Sequence, residues 1–112
     1  MSTFDFLTNK ADGHGNDWPI RYEDLAPWYE YVERFVGISG SSEYLPQLPD
    51  SVFQPPFEMT LPERDFSEKM RELEPNKPVI ISRCAHLTQP EKIQVDLGRM
   101  KCIARNECQK GC

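Results

Sequence analysis

Pro27-Trp28-Tyr29-Glu30-Tyr31-Val32-Glu33-Arg34-Phe35-Val36-Gly37 carries the clearest periodicity in the chain. Trp28, Tyr31, Val32 and Phe35 recur at i, i+3, i+4 and i+7, which places them on one stripe of an α-helix. Pro27 suits the first helical turn, where its missing N–H costs nothing, and Gly37 ends the helix as a residue free to take the left-handed conformation. Glu30, Glu33 and Arg34 fall on the opposite, solvent-facing side. An aromatic stripe at this spacing is expected to be a packing face, and it is assigned to the core.

The chain before this helix is polar and turn-rich, with Asp12-Gly13-His14-Gly15-Asn16-Asp17 offering positions that tolerate positive φ. Residues 1 to 20 are therefore expected to be loop. His14 has no partner spaced for catalysis and is expected to be a surface histidine. Beyond Gly37, residues 37 to 58 hold Pro46, Pro49, Pro55 and Pro56 with several glycines and serines, so neither helix nor strand should persist. Tyr44, Leu45, Leu48, Val52, Phe53 and Phe57 are too many apolar groups for a free tether, and the segment is expected to lie against a larger body.

Thr60 and Glu63 have capping-box spacing, Pro62 is tolerable in the first turn, and Phe66, Met70 and Leu73 form the buried stripe of a second helix. Pro75-Asn76-Lys77-Pro78 stops it. Val79-Ile80-Ile81-Ser82 is short and β-branched and reads as one strand, whose partners must come from elsewhere. A loop through 91 to 97 leads to the cysteines. The expected class is irregular α+β, with two helices, one or a few short strands and long proline-rich loops.

With 112 residues, ten prolines, 38% hydrophobic residues and a mean hydropathy of −0.62, an independent core is marginal and poor packing of the chain alone is expected. The net charge of −5 and the lack of a Lys/Arg run argue against nucleic acid binding. No stretch reaches bilayer-spanning length and the start lacks a basic-then-apolar leader, so a soluble protein of the bacterial cytoplasm or periplasm is expected, the compartment unspecified. GxGxxG, P-loop, GxSxG and HExxH motifs are absent.

Cys102, Cys108 and Cys112 stand at CxxxxxCxxxC spacing, with Cys84 and His86 upstream. Three thiolates in a short, glycine-containing loop can hold a soft metal or an iron–sulfur cluster, and Cys84 or His86 could supply a fourth ligand. Zinc more often uses paired CxxC knuckles, and disulfide-bonded or reduced structural cysteines fit the spacing equally well. Arg99 and Arg105 would favour thiolate or an anionic cofactor nearby, or serve as ordinary solvated or ion-paired arginines.

Asp17-Trp-Pro-Ile-Arg-Tyr-Glu-Asp-Leu-Ala-Pro-Trp-Tyr29, Val32-Glu-Arg-Phe-Val-Gly-Ile-Ser-Gly40, Leu87-Thr-Gln-Pro90 and Gly98-Arg-Met-Lys-Cys-Ile-Ala-Arg-Asn-Glu-Cys-Gln-Lys-Gly-Cys112 together resemble an internal region of glucose–methanol–choline (GMC) oxidoreductases. Ser2-Thr-Phe-Asp-Phe6 resembles the segment that follows the family's glycine-rich flavin-contacting motif. The resemblance spans nearly the whole chain, in order. It implies that residues 1–112 are part of the substrate (cap) region of a larger FAD-binding fold that oxidises CH–OH donors by hydride transfer from a sugar or alcohol. The dinucleotide fingerprint and the catalytic histidine would lie outside the chain, so no catalytic residue is assigned, and His14 and His86 match no catalytic position. The remainder of the flavoprotein would be the principal partner, with an electron-acceptor protein possible in principle. Some members of the family hold a three-iron cluster on cysteines near FAD, which makes Cys102, Cys108 and Cys112 candidate iron–sulfur ligands; Ile103 stands where a second adjacent cysteine often occurs. The rival expectation, from another class, is a complete small cysteine-containing binding or electron-carrier module.

Overall fold

The computed structural model describes residues 2–110. A 3₁₀ turn, Thr3–Phe6, leads into α1 (Thr8–Ala11), followed by α2 (Tyr22–Val36), α3 (Leu61–Leu73), α4 (Lys92–Asp96) and a 3₁₀ turn at Cys108–Lys110. The rest is irregular. The expectation of mixed helix and loop holds, but the first 20 residues and residues 91 to 97 contain short helical elements where only loop was expected.

α2 begins five residues before Pro27, so the proline lies inside the helix and not in its first turn. The early start is set by Asp24, whose Oδ2 accepts the backbone N–H of Arg21 at 2.8 Å and satisfies one of the donors exposed at a helix start. A proline at this depth removes one i→i−4 bond, donated in other residues to the carbonyl of Glu23. α3 follows its sequence closely. Glu63 Oε2 accepts both the Thr60 N–H and the Thr60 hydroxyl at 2.7 Å, and these bonds hold the Glu63 carboxyl below its ordinary value.

The strand expected at 79 to 82 is not formed among the described residues. Sheet-like pairing is reduced to isolated bridges: Ser39 pairs in parallel with Gln54 and antiparallel with Cys84, and Leu45 pairs antiparallel with Leu48. Ser39 N–H donates to Cys84 O at 2.8 Å and Cys84 N–H returns to Ser39 O at 3.1 Å. On the other side Gln54 N–H donates to Ile38 O at 2.8 Å and Gly40 N–H to Gln54 O at 3.0 Å. Pairing thus falls two residues past the β-branched run, where the backbone emerging from α2 lies alongside. At Val79 the carbonyl instead accepts the hydroxyl of Ser67 on α3 at 3.4 Å.

Residues 40 to 53 are organised by Arg83. Its guanidinium donates to Pro49 O at 2.7 Å and Ser41 O at 3.2 Å, pairs with the Asp50 carboxylate and lies 4.4 Å from the centroid of the Phe53 ring. Burial alone would raise the Asp50 pKa, but the N–H groups of Glu43 and Tyr44 and the Arg83 charge outweigh it and hold the carboxyl low.

The interior is small and largely polar. Among the described residues the buried hydrophobic side chains are Phe6 and Leu87, accompanied by Ser39, Gln54, Ser67, Thr88 and Gln94. Gln94, fully buried, donates to the Arg34 carbonyl at 2.5 Å and accepts the Glu91 N–H at 2.6 Å, tying α4 to the end of α2. Both apolar helix stripes assigned to the core are instead open to solvent. Trp28 is 69% exposed, Tyr31 63%, Val32 53% and Phe35 40%, and on α3 Phe66 and Leu73 are exposed as well. Among the described residues no element lies over these faces, and α3 turns Ser67 inward in place of Phe66. The Cα radius of gyration is 17.4 Å, against about 13 Å for a compact domain of this length.

Gly37 closes α2 at φ +80°, and a Cβ there would overlap Leu87 Cδ1 and approach Gln54 Nε2. The substitution G37A therefore meets both a left-handed backbone and a filled space, and it is expected to lower stability by roughly 1–3 kcal/mol in urea or thermal melts. Asp50 supplies a pH dependence of known sign. Its lowered pKa contributes stability that is present above the ordinary carboxylate pKa and is lost as pH falls through the folded value. D50N should flatten the acid limb of a stability–pH profile relative to the parent chain.

Candidate functional site

The cysteine region is assembled around residues 84 to 88. This segment is fixed on one side by the Ser39–Cys84 backbone pair and on the other by Cys102 N–H, which donates to Leu87 O at 2.7 Å. Within it, His86 N–H donates to Cys84 O at 2.7 Å and Thr88 N–H to His86 O at 2.8 Å. The Thr88 hydroxyl reaches Pro55 O at 2.6 Å and Leu87 is buried beneath. His86 consequently stands on a backbone held at several points, with its ring 5.6 Å from that of Phe57 at 55°.

Cys108, exposed at the start of the last 3₁₀ turn, brings Sγ to 3.9 Å from His86 Nε2. Of the three cysteines expected to act together, Cys108 thus has an imidazole as its side-chain partner. Cys102 is half-buried and joined to the site through its backbone, and Cys112 lies outside the described residues. Cys84 Sγ is 3.4 Å from the Ser82 hydroxyl. Cys84, Cys102 and Cys108 are free thiols. No three His, Cys, Asp or Glu side chains among the described residues converge as a metal-holding group. The described part of the expected three-thiolate set is Cys102 and Cys108, both free thiols.

Arg99 has a different task from the one expected. Its guanidinium donates to Phe35 O at 3.0 Å and Val36 O at 2.5 Å, capping carbonyls left open at the end of α2. His14 is exposed, as expected.

A second feature has no forerunner in the sequence. Glu33, Arg34, Val52, Phe53, Gln54, Pro55, Gln89, Pro90 and Glu91 line a cleft of about 250 Å³. Gln54 Oε1 accepts the Gln89 N–H at 2.9 Å and joins two of its walls. Helical periodicity puts Glu33 on the solvent side, yet Glu33 Oε2 is buried without a hydrogen-bond partner. The Tyr22 phenol is pushed up by burial and then by the negative charge of Glu33.

Compared with known proteins, the chain matches no protein-family model and no curated protein.

An unpartnered carboxylate oxygen is costly where water is excluded. E33Q removes the charge at nearly constant shape and should raise stability by about 1 kcal/mol; a loss of stability would show that the carboxylate has a favourable role in the fold. The same substitution should bring the Tyr22 phenol back toward its ordinary pKa in an ultraviolet titration, because one of the charges opposing its ionisation is gone.

Proposed function

We propose that this chain is part of the substrate (cap) region of a GMC-type, FAD-dependent oxidoreductase acting on a CH–OH donor, a sugar or an alcohol. The observation that carries the reading is the ordered series from Asp17 through Cys112, above all Asp17–Tyr29 and the Gly98–Cys112 stretch. The unsheltered stripes of α2 and α3 support it, since Trp28, Tyr31, Phe66 and Leu73 present apolar surface suited to the remainder of a flavoprotein. So does the open shape, which leaves the chain with little interior of its own.

FAD, when bound to the parent flavoprotein, supplies the acceptor for the hydride. Its site is assigned to the remainder of that protein, because residues 1–112 contain no glycine-rich dinucleotide fingerprint. An electron-acceptor protein would complete the reaction cycle. Cys102, Cys108 and Cys112 remain the residues that an iron–sulfur cluster would need, though the described geometry gives Cys108 a different partner. No helix among the described residues is long and apolar enough to cross a membrane.

The test is isolation of the protein containing this sequence from its native source. A flavin absorbance spectrum that bleaches on addition of a sugar or alcohol is the expected result. A flavin-free 13.0 kDa polypeptide that unfolds cooperatively would overturn the proposal.

A further inference from the structure

Cys108 is an exposed, free thiol whose Sγ stands 3.9 Å from His86 Nε2. The attacking species in sulfur chemistry is the thiolate, so a thiol beside a neutral imidazole has an acceptor for the proton it must lose. Contacts of this kind tighten once a reactant is bound. His86 is suited to the task, because its backbone is held through Cys84 and Thr88 while its ring lies 5.6 Å from that of Phe57. Cys84 and Cys102 are free thiols as well, but the side-chain neighbour of Cys84 is the Ser82 hydroxyl, which is no base at neutral pH.

A second observation says what the thiol would meet. Phe57, which flanks His86, also lines a pocket of about 300 Å³ whose other walls are Pro55, Pro56, Thr88, Gln89 and Lys101. The bond from Cys102 N–H to Leu87 O brings the neighbouring Lys101 alongside this wall. Lys101 is exposed and forms no ion pair among the described residues, so its ammonium is available to an anion. Glu107, the acid next to Cys108 in sequence, is engaged with Lys110 at 2.9 Å. Contacts thus run from Cys108 through His86 and Phe57 to a pocket with an apolar wall and one free cation. That combination fits a small disulfide bearing carboxylates, its hydrocarbon against Pro55 and Phe57 and a carboxylate on Lys101.

We propose that Cys108 is a site of thiol–disulfide exchange with a low-molecular-weight, carboxylate-bearing disulfide, with His86 as proton acceptor and the Lys101 pocket as the seat of the anion. The Cys108 proton passes to His86 Nε2 and the sulfur attacks one sulfur of the disulfide. A protein–ligand S–S bond forms, the ligand's own S–S bond breaks, and the departing thiolate takes the proton back from the imidazolium. Cys108 is oxidised and half of the small disulfide is reduced to a thiol, so no further oxidant is needed. The inference is independent of the flavin reading, and its test involves neither flavin nor alcohol.

Oxidised glutathione added to the reduced full chain carrying C112S is the probe, with the mixed disulfide located by peptide mass mapping and its rate of formation followed over time. Modification at Cys108, faster than at Cys84 or Cys102 by roughly tenfold or more, is expected. H86Q should slow the reaction at Cys108 by a similar factor, roughly tenfold. K101Q should slow it about threefold with oxidised glutathione, as loss of an exposed charge contact does, and leave the rate with the uncharged bis(2-hydroxyethyl) disulfide unchanged. Circular dichroism of each variant confirms that the fold persists, and K101Q, on an exposed side chain, tests the pocket without disturbing the segment that bears His86. Equal rates at the three thiols, or a Cys108 rate indifferent to H86Q, would overturn the proposal by showing an exposed thiol and nothing more. A K101Q effect as large with the uncharged disulfide would overturn it too, because the pocket would then not be reading the carboxylate.

Discussion

The backbone of residues 38 to 40 is the constraint on which the molecule depends. Ser39 exchanges two hydrogen bonds with Cys84 while Ile38 and Gly40 hold Gln54 from the other side. Three segments distant in sequence meet within the length of one tripeptide. Each brings something that the others need: the end of α2, the proline-rich stretch and the segment bearing His86. Arg83, next to Cys84, extends the junction outward through Pro49, Ser41 and Asp50. A few directional bonds thus do what a sheet or a large apolar core does in a compact domain, and the buried set is accordingly rich in Gln, Ser and Thr.

What was legible in the sequence was local. α3 could be read because Thr60 and Glu63 make their capping box three residues apart. The end of α2 at Gly37 was equally clear, because only the backbone of one residue decides it. Its beginning was not, since Pro27 drew the helix start toward itself while the bond that matters runs from Arg21 to Asp24. The β-branched run at 79 to 82 has strand propensity but no backbone hydrogen-bonded to it among the described residues, and propensity without a partner makes no ladder.

The candidate site was legible in its residue types and not in its pairings. Cysteine spacing drew attention to Cys102, Cys108 and Cys112, whereas the contact between Cys108 and His86 depends on how two loops meet. Glu33 shows the same limit from the opposite direction. The hydrophobic pattern correctly gives α2 an apolar face and a charged face, but it cannot say which one this chain will cover. In the event Glu33 is covered while Glu30 and Arg34 stay exposed, and the aromatic stripe is left to a surface supplied from elsewhere under the flavoprotein reading.

Gly37 connects these two ends of the molecule mechanically. Leu87 sits in the space that a side chain at position 37 would fill, and the carbonyl of Leu87 holds the backbone of Cys102. One absent methyl group thus sets how deeply a leucine fifty positions later can seat, and that depth in turn fixes the height of a cysteine further on. The helix terminus acts as a gauge block for the thiol-bearing loop, so a change at the end of α2 reaches the backbone of Cys102 through Leu87.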